Sequence, residues 1–390
     1  MPKRNTVAQV EDNLNTVSVL EYLTTVPGSR KERTSLHSLK DILVLSLCAI
    51  ICGADGFVAI EEFGILKEPW LKTFLDLPNG IPSHDTIGRV FAALSPKALE
   101  TVFRAWMKSV AVLTEGEVVA IDGKTLRRSF REAGSGLFVH MVSAWATRNR
   151  VVLGQVKTEE KSNEITAIPE LLGLLYLKGC IVTIDAMGCQ KEIAAKIIHE
   201  GADYCLTVKD NQPTLREDLA STFDAARTDP TVLATMNYSE TREKGHGRVE
   251  ARRCWTTSVL DGVSQANPWE GLRSLALIEV ERTVGSKTSI EQRYVISSCA
   301  GLTAVKALNT VRAHWGIENQ LHWVLDVAFR EDDCRVRAGN AAENFAVLRH
   351  AALNLLKKVQ GTKVGIKIRR LRAGWDNDFL MRVLGAVGLK

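Results

Sequence analysis

Two aspartates in this sequence stand directly after short apolar runs rich in β-branched residues. Asp122 follows the run 118–121 and precedes Gly123, and Asp185 follows the run 181–184. An aspartate before glycine is most often a turn former, so either acid alone says little. The repeated pattern predicts that two strands deliver carboxylates to one sheet edge, where oxygen ligands of this kind suit Mg²⁺.

A predicted helix further along the chain offers candidates for a third acid. In the stretch VRAHWGIENQLHWVLDVAFRED, Glu318 has His314 and His322 one turn away on either side, and Asp326 lies a further turn along. Residues at this spacing share one stripe of a helix, so Glu318 and Asp326 are both candidate metal ligands. Three carboxylates can hold two metal ions about 3.5–4 Å apart, an arrangement that cuts and joins phosphodiesters.

The two histidines on this helix allow other interpretations. They can face the core, and the neighbouring Trp315 and Trp323 favour ordinary packing of the helix. A His pair around Glu also resembles a zinc-binding helix, but the spacing HExxH is absent from this stretch and no further ligand is evident. Zinc is therefore the weaker interpretation.

Basic and polar residues near the acids are candidate contacts to a phosphate backbone. They cluster after the first acid, at the end of a predicted strand, around the glycines of EKGHGRVEARR and on the third-acid helix. Lys and Arg bind nucleic acid largely by displacing counterions from phosphates. The same residues can instead close turns or form a solvated basic hairpin. The candidates are Lys124, Arg127, Lys209, Asn211, His246, Arg248, Arg252, Arg312 and His314.

The composition is that of a globular protein with an uneven charge distribution. Of 390 residues, 45% are hydrophobic, and the formal net charge is +5. Residues 351–390 hold nine Lys or Arg and two Asp, so this segment carries +7 and the other residues carry −2. The basic segment either contacts nucleic acid or forms a solvated amphipathic tail.

The cysteine pattern and the hydropathy of the sequence both favour a cytoplasmic protein. Eight cysteines show no CxxC pair, so we interpret them as reduced core residues. The sequence has no apolar run of bilayer length and no leader pattern. We therefore expect a cytoplasmic protein without a membrane partner.

The order of predicted elements indicates an α/β fold. Helical spacing dominates the first 114 residues, and the pattern βββ-α-β-α-β follows. This is the element order of the ribonuclease H-like core, in which the first and fourth strands lie side by side and parallel. Asp122 and Asp185 are then expected at the same sheet edge.

The predicted architecture is a ribonuclease H-like catalytic core with a β-rich insertion, preceded by an all-helical N-terminal domain. We read three strands in the insertion, which separates the third acid from the first two. The predicted divisions are a helical domain at 1–114, the first part of the core at 115–211, the insertion at 212–308, the last part of the core at 309–350, and a basic C-terminal tail at 351–390.

Many phrases of the sequence resemble the DDE-type transposases of bacterial insertion sequences, and more narrowly the H repeat-associated subgroup linked to Rhs elements. They span most of the chain from about residue 35 to 385 and include GADGFVAIEEFG, LPNGIPSHDTIGRVF, AIDGKTLRRS, GCIVTIDAMGCQ, GADYCLTVKDNQ and HWGIENQLHWVLDVAFRED. The resemblance implies that Asp122 and Asp185 are the first two catalytic acids and that Glu318 is the third.

The third-acid helix departs from the broader family pattern. That pattern places Tyr, Arg, Glu and Lys at fixed intervals, and here the corresponding residues are Val311, His314, Glu318 and Leu325. Only the glutamate is kept, so the roles of the other three do not carry over. Asp326 stays a rival third ligand.

The resemblance implies an enzyme that hydrolyses the ends of its element and joins them to target DNA by in-line phosphoryl transfer. Two Mg²⁺ or Mn²⁺ ions are the expected cofactors. The expected partners are the terminal inverted repeats and target DNA, and a homodimer is compatible with pairing of two ends. The alternatives are a ribonuclease H-like nuclease or resolvase that cuts without joining, and an inactive DNA-binding relic.

Overall fold

The structure is a computed structural model of the 390-residue chain. It describes residues 18–28, 35–129, 138–158, 164–245, 247–264, 266 and 268–385. The candidate phosphate contact His246 lies outside these residues. Within them, no helix combines the length and the apolar character that crossing a membrane requires.

Helices make up the described part of the N-terminal region, as the helical spacing predicts. They are α1 (Val19–Thr24), α2 (Leu39–Ile51), α3 (Phe57–Leu71), α4 (His84–Ala93) and α5 (Pro96–Val110). Ser38, Ser83 and Ser95 cap three of them, each accepting a hydrogen bond from the backbone N–H three residues on. Helix α2 is apolar on all sides and almost wholly buried, so it forms the centre of this bundle.

The described residues also form a nine-stranded sheet in the order β3-β2-β1-β4-β5-β9-β8-β7-β6. Among the strand pairs of the described residues, only β1–β4 and β4–β5 are parallel. The strands are β1 (Val118–Leu126), β2 (Val139–Ala146), β3 (Val151–Lys157), β4 (Ile181–Ile184), β5 (Asp203–Val208), β6 (Asn237–Gly245), β7 (Arg248–Thr257), β8 (Ser274–Val284) and β9 (Lys287–Ser297).

The pairing of β1 with β4 is the feature that brings the first two acids together. Ile121 lies opposite Ile184 in the parallel register, so Asp122 and Asp185 come next on neighbouring strands. This confirms the predicted placement at one sheet edge. The prediction that Asp122 ends its strand is wrong, because β1 continues to Leu126. Beyond Asp122 it pairs only with β2 among the described residues.

The segment predicted as a three-stranded insertion extends the same sheet with four strands. Strand β9 pairs antiparallel with β5, which joins β6–β9 to the strands that carry the acids. The sequence reading missed β6 because most of its residues are exposed, as suits the polar edge of a sheet. It also missed a helix, Pro213–Thr228, that precedes these strands.

The remaining helices cover the sheet and connect it to the N-terminal bundle. They are α6 (Glu164–Leu174), α7 (Lys191–His199), α8 (Pro213–Thr228), α9 (Pro230–Thr235), α10 (Ala304–Ile317), α11 (Trp323–Phe329), α12 (Ala341–Lys358), α13 (Ile366–Trp375) and α14 (Asn377–Val383). Helix α12 links the two regions, because Asn344 Nδ2 donates to Phe91 O and Asn354 Nδ2 donates to Val152 O, both at 2.9 Å.

Part of the basic C-terminal segment packs against the bundle. Arg370 on α13 is 5% exposed and its guanidinium donates to Ile50 O at 2.8 Å. The same guanidinium lies 4.1 Å from the ring centroid of Phe329. At least this charge therefore stabilises the fold and does not belong to a solvated tail.

Candidate active site

Gly123, directly after the first acid, lies within a strand and not in a turn. A Cβ at this position would lie 2.5 Å from His140 Nε2 and closer still to the carboxylate of Glu164. These two side chains pair across the glycine at 2.8 Å. The close approach explains the Asp–Gly sequence, because any side chain here would push the pair away from β1.

Asp185 caps a short turn at the end of β4. Its Oδ1 accepts hydrogen bonds from Met187 N at 3.1 Å and from Gly188 N at 3.3 Å. Asn211 Nδ2 donates to Ala186 O at 2.8 Å and so holds the same turn from the end of β5. The structure thus gives Asn211, a candidate DNA contact, a role in positioning the loop of the second acid.

The third acid lies in a widened turn of its helix. Residues Glu318–His322 form a π-helical turn between α10 and α11. Such turns are rare and occur frequently at functional sites, because they change which side chains face a neighbouring element. Here the turn leaves Glu318 half-exposed beside β1 while His322 is buried.

The three predicted acids line one cavity. Asp122, Asp185 and Glu318 share a cavity of about 350 Å³ between the sheet edge and α10. Lys209 and His314, both candidate DNA contacts, line it as well. The sequence reasoning therefore brought together side chains that the structure places in one site.

Asp122, Glu318 and His322 form the tightest cluster of this site. One ligand atom of each lies within 4.8 Å of those of the other two. The Nδ1 atom of His322 is 3.4 Å from Asp122 Oδ2 and 3.7 Å from Glu318 Oε2. His322 is 6% exposed, so its ring is fixed against β1.

The surroundings of Asp122 disfavour the charged form of its carboxyl group. Burial, together with the hydrogen bond and the charge of Glu318, raises the pKa of Asp122 to about 8. Burial also lowers the pKa of His314 and of His322, which disfavours their charged forms. A divalent cation supplies the positive charge that this donor set lacks, so the residues fit a metal ion.

His314 is fixed by a contact to the sheet. Its Nδ1 lies 3.1 Å from Thr183 Oγ1 on β4, one residue before the strand ends. Trp315 next to it is 50% exposed, and Trp323 about two turns further along is 59% exposed. Neither tryptophan is buried, which speaks against the interpretation that they indicate ordinary packing of this helix.

Lys124 and Asp326 bind each other and do not line the cavity of the three acids. Lys124 Nζ contacts Asp326 Oδ1 and lies 2.9 Å from Glu331 Oε2. The Lys124 side chain is 12% exposed, so it is enclosed by these acids. The structure thus gives Lys124, predicted as a phosphate contact, an internal ion pair, and the same pair occupies the rival third acid.

Four other predicted phosphate contacts form ion pairs with carboxylates of the protein. Arg127 lies 3.2 Å from Asp332. Arg248 lies 3.3 Å from Glu250, and Arg252 contacts both Glu250 and Glu243. Arg312 reaches across from α10 to Glu243 at 2.8 Å. The Arg312–Glu243 pair joins the β6–β7 hairpin to α10, and none of these four arginines lines the cavity.

Two residues that line the cavity were not predicted from the sequence. Glu291 and Arg293 on β9 line the cavity, and the Arg293 guanidinium lies 5.6 Å from the ring centroid of Trp315. Their position depends on the long-range pairing of β9 with β5. No local signal in the sequence reveals that pairing.

Family models match most of the chain. The model described as "Transposase DDE domain" matches residues 113–355, and the model described as "DDE_Tnp_1-associated" matches residues 20–107. The chain therefore belongs to the transposase DDE family, whose members act on DNA by phosphoryl transfer.

Similar proteins place the chain in the H repeat-associated subgroup. The "H repeat-associated putative transposase YhhI" of Escherichia coli strain K12 is 41% identical over 95% of this chain and 98% of its own length. The "Putative transposase YncI" of Escherichia coli O157:H7 is 42% identical over 95% of each chain. These relatives confirm the resemblance that the sequence phrases indicate.

A solved structure is also similar at a lower level. The piggyBac transposase synaptic complex with hairpin DNA aligns with 98% of this chain and 81% of that chain, with a TM-score of 0.41 and 13% identity. A likeness of this size carries no conclusion about the fold or the site.

Proposed function

We propose that the cavity of Asp122, Asp185 and Glu318 is the active site of an insertion-sequence transposase that cuts its element ends and joins them to target DNA. The observation that carries this proposal is the shared cavity of three acids from β1, β4 and the third-acid helix. Strands β1–β5 with α6 and α7 are then the ribonuclease H-like core, and α10–α11 complete it.

The predicted domain divisions fit this proposal with one adjustment. We propose 1–114 as the N-terminal domain, which is helical in its described residues, 115–211 and 309–350 as the core, and 212–308 as the extension of its sheet. Helix α12 runs through residue 350 to Lys358, so the basic tail of 351–390 begins within a helix that belongs to the core packing.

Each acid has a separate part in the proposed reaction. Asp122 and Glu318 would hold one ion, and Asp185 would supply the carboxylate for a second. When bound, two Mg²⁺ or Mn²⁺ ions activate the attacking oxygen and stabilise the leaving oxygen of a phosphodiester. The backbone contacts of Asp185 keep its carboxylate in place as the DNA enters.

Cations and polar groups on the cavity wall position the DNA. Lys209 and Arg293 line the cavity, so they can neutralise phosphates next to the scissile bond. The partners are the terminal inverted repeats and target DNA, and we propose a homodimer that pairs two ends in the bacterial cytoplasm. Asp326 is left to its ion pair with Lys124, and Glu318 is the third ligand.

The test uses oligonucleotides that carry the inverted repeats flanking the gene. Wild-type protein in Mg²⁺ is expected to nick these ends and to join them to a target plasmid. Asp122→Asn, Asp185→Asn and Glu318→Gln are each expected to abolish nicking while DNA binding is retained. The matched control is Asp210→Asn, because Asp210 lies at the end of β5 with a 92% exposed side chain.

Each outcome decides between the candidate functions. Nicking without joined product by wild-type protein indicates a nuclease or resolvase. Retained nicking by Asp122→Asn in Mg²⁺ contradicts the proposed site. DNA binding without nicking by any wild-type preparation indicates an inactive relic.

A further inference from the structure

His322 is a buried side chain that points one nitrogen into the proposed metal site. The residue is 6% exposed, and its Nδ1 faces Asp122 and Glu318 at 3.4 Å and 3.7 Å. The π-helical turn at Glu318–His322 brings both residues to the same carboxylate of β1. The three acids alone therefore do not describe all the donor atoms of this site.

The two distances are too long for ordinary hydrogen bonds. An N–H···O bond has a donor–acceptor distance of about 2.9–3.0 Å, and a charge-assisted one is shorter. His322 therefore does not simply hold Asp122 by hydrogen bonding. In contrast, two ligands that each lie about 2.1 Å from one ion are separated by roughly 3.0–3.6 Å at usual coordination angles.

The measured separations match those of atoms that share an ion. The 3.4 Å between Nδ1 and Asp122 Oδ2 falls within that range. The 3.7 Å to Glu318 Oε2 needs only a small inward shift, and the Glu318 side chain is 52% exposed and so has room to move. The three donor atoms therefore already have about the spacing expected of ligands that share one ion.

The other ring nitrogen of His322 also fits a metal ligand. If Nδ1 binds the ion, Nε2 carries the proton and needs an acceptor. Nε2 is buried and has no hydrogen-bond partner among the described residues, and Glu331 Oε1 and His350 Nδ1 are buried acceptors in the same condition. Glu331 and His350 are electrostatic neighbours of His322, so both are candidate acceptors for this proton.

We propose that His322 Nδ1 is a ligand of the ion held by Asp122 and Glu318, and that this nitrogen makes the site favour Mn²⁺ over Mg²⁺. The inference rests on the proposed function, because it concerns the same site. Mg²⁺ is a hard cation that prefers oxygen ligands, whereas Mn²⁺, although it also suits oxygen ligands, is a transition metal that accepts an imidazole nitrogen more readily than Mg²⁺ does. Asp185 offers only oxygen atoms, so we expect no preference for Mn²⁺ over Mg²⁺ in the ion that it would hold.

The test detects nitrogen bound to manganese directly. The full chain is loaded with Mn²⁺ alone and measured by pulsed electron paramagnetic resonance, in which a coordinated nitrogen modulates the electron spin echo. Wild-type protein is expected to show nitrogen modulation, and protein labelled with ¹⁵N-histidine is expected to show it at the ¹⁵N frequency. Because labelling changes no side chain, this readout does not depend on the folding of a variant.

Two variants locate the histidine. His322→Gln is expected to lose the modulation and to bind Mn²⁺ at least roughly tenfold more weakly, with a smaller change for Mg²⁺. The matched control is His314→Gln, which removes the other imidazole of the site and is expected to keep the modulation. Loss of the modulation in His314→Gln alone overturns the assignment to His322.

Failure of the ligand and failure of the site give different results. Mn²⁺ that binds in an Asp122-dependent manner without nitrogen modulation overturns the His322 ligand and leaves the proposed active site standing. If Asp122→Asn does not weaken Mn²⁺ binding at all, both proposals fail.

Discussion

Two groups of carboxylates lie beside the first strand of the acid-bearing sheet, and they differ in how their charge is compensated. The cavity group consists of Asp122, Asp185 and Glu318. The Lys124 cluster consists of Lys124, Asp326, Glu331, Asp332 and Arg349. Lys124 follows Asp122 by two residues on the same strand, so both groups face the third-acid helix.

The pKa values of Glu331 and Asp122 show the difference. Burial raises the pKa of Glu331, but the charges of Lys124 and Arg349 outweigh it and hold that pKa below the usual value. Asp122 is less deeply buried, yet its pKa is raised to about 8 because burial and Glu318 act in the same direction. The cations of the Lys124 cluster outweigh burial at Glu331 and oppose it at Asp326, whereas at Asp122 burial and Glu318 both disfavour the charged form.

This comparison explains why Asp326 is a poor third ligand even though it shares a helical stripe with Glu318. Its carboxylate already has Lys124 as a counter-ion. Withdrawing it to bind a metal would leave a buried ammonium without one partner. Compensation by an internal cation therefore distinguishes a structural acid from a catalytic candidate in this chain.

The largest expected effect on stability comes from breaking the balanced group. Lys124→Met leaves Glu331 and Asp326 without their shared cation, and we expect it to lower the free energy of unfolding by ~3–5 kcal/mol. Urea denaturation measures this loss. The control is Arg127→Met, because the Arg127 side chain is 77% exposed and its ion pair with Asp332 contributes little. A loss in Lys124→Met no larger than that of the control contradicts the comparison.

Neutralising one acid in each group is expected to change stability in opposite directions. In the absence of metal, Asp122→Asn removes a repelled carboxylate and should raise the free energy of unfolding by roughly 1–2 kcal/mol. Glu331→Gln removes the partner of Lys124 and should lower it. The free energy of unfolding of both variants is measured in the presence of a chelator. A change of the same sign in both would contradict the proposed difference between the two groups.

The raised pKa of Asp122 also predicts a pH dependence. A carboxyl group whose folded-state pKa lies at about 8 instead of 3.8 contributes stability that is full below the lower value. That stability is lost as the pH rises through the upper value. Metal-free wild-type protein should therefore lose stability relative to Asp122→Asn between about pH 4 and about pH 8, as thermal unfolding at several pH values can show. Parallel curves for the two proteins contradict this prediction.

The smallest expected effect concerns DNA binding by cations in the two environments. Lys209 is exposed on the cavity wall, so Lys209→Ala should reduce the salt dependence of DNA affinity by about 0.9 in a log–log plot. Arg252 is 15% exposed and bound by Glu243 and Glu250, so Arg252→Ala should leave that slope nearly unchanged. Equal changes in slope would show that internal pairing does not remove Arg252 from DNA contact.

The sequence was sufficient for features that depend on local patterns. The apolar runs before Asp122 and Asp185 predict two strands, and the element order predicts their parallel pairing, which the register of Ile121 with Ile184 confirms. The helical spacing predicts the third-acid helix, and the structure places Glu318 in the cavity with both aspartates.

The sequence did not predict features that depend on contacts between distant parts of the chain. The partner of Lys124 lies 202 residues away, so its sequence context shows only a basic residue beside an acid. The π-helical turn at Glu318–His322 and the cavity residues Glu291 and Arg293 depend on contacts between distant elements. Strand β6 was missed because edge strands need not alternate polar and apolar residues.

The most direct test of the central claim counts bound Mn²⁺ in two matched variants of one helix. Glu318→Gln and Asp326→Asn each neutralise one acid of the same stripe, and circular dichroism confirms that both remain folded. We predict that Glu318→Gln binds at least one ion fewer than wild-type protein, whereas Asp326→Asn binds the wild-type number. Loss of an ion in Asp326→Asn together with full binding in Glu318→Gln would contradict the account.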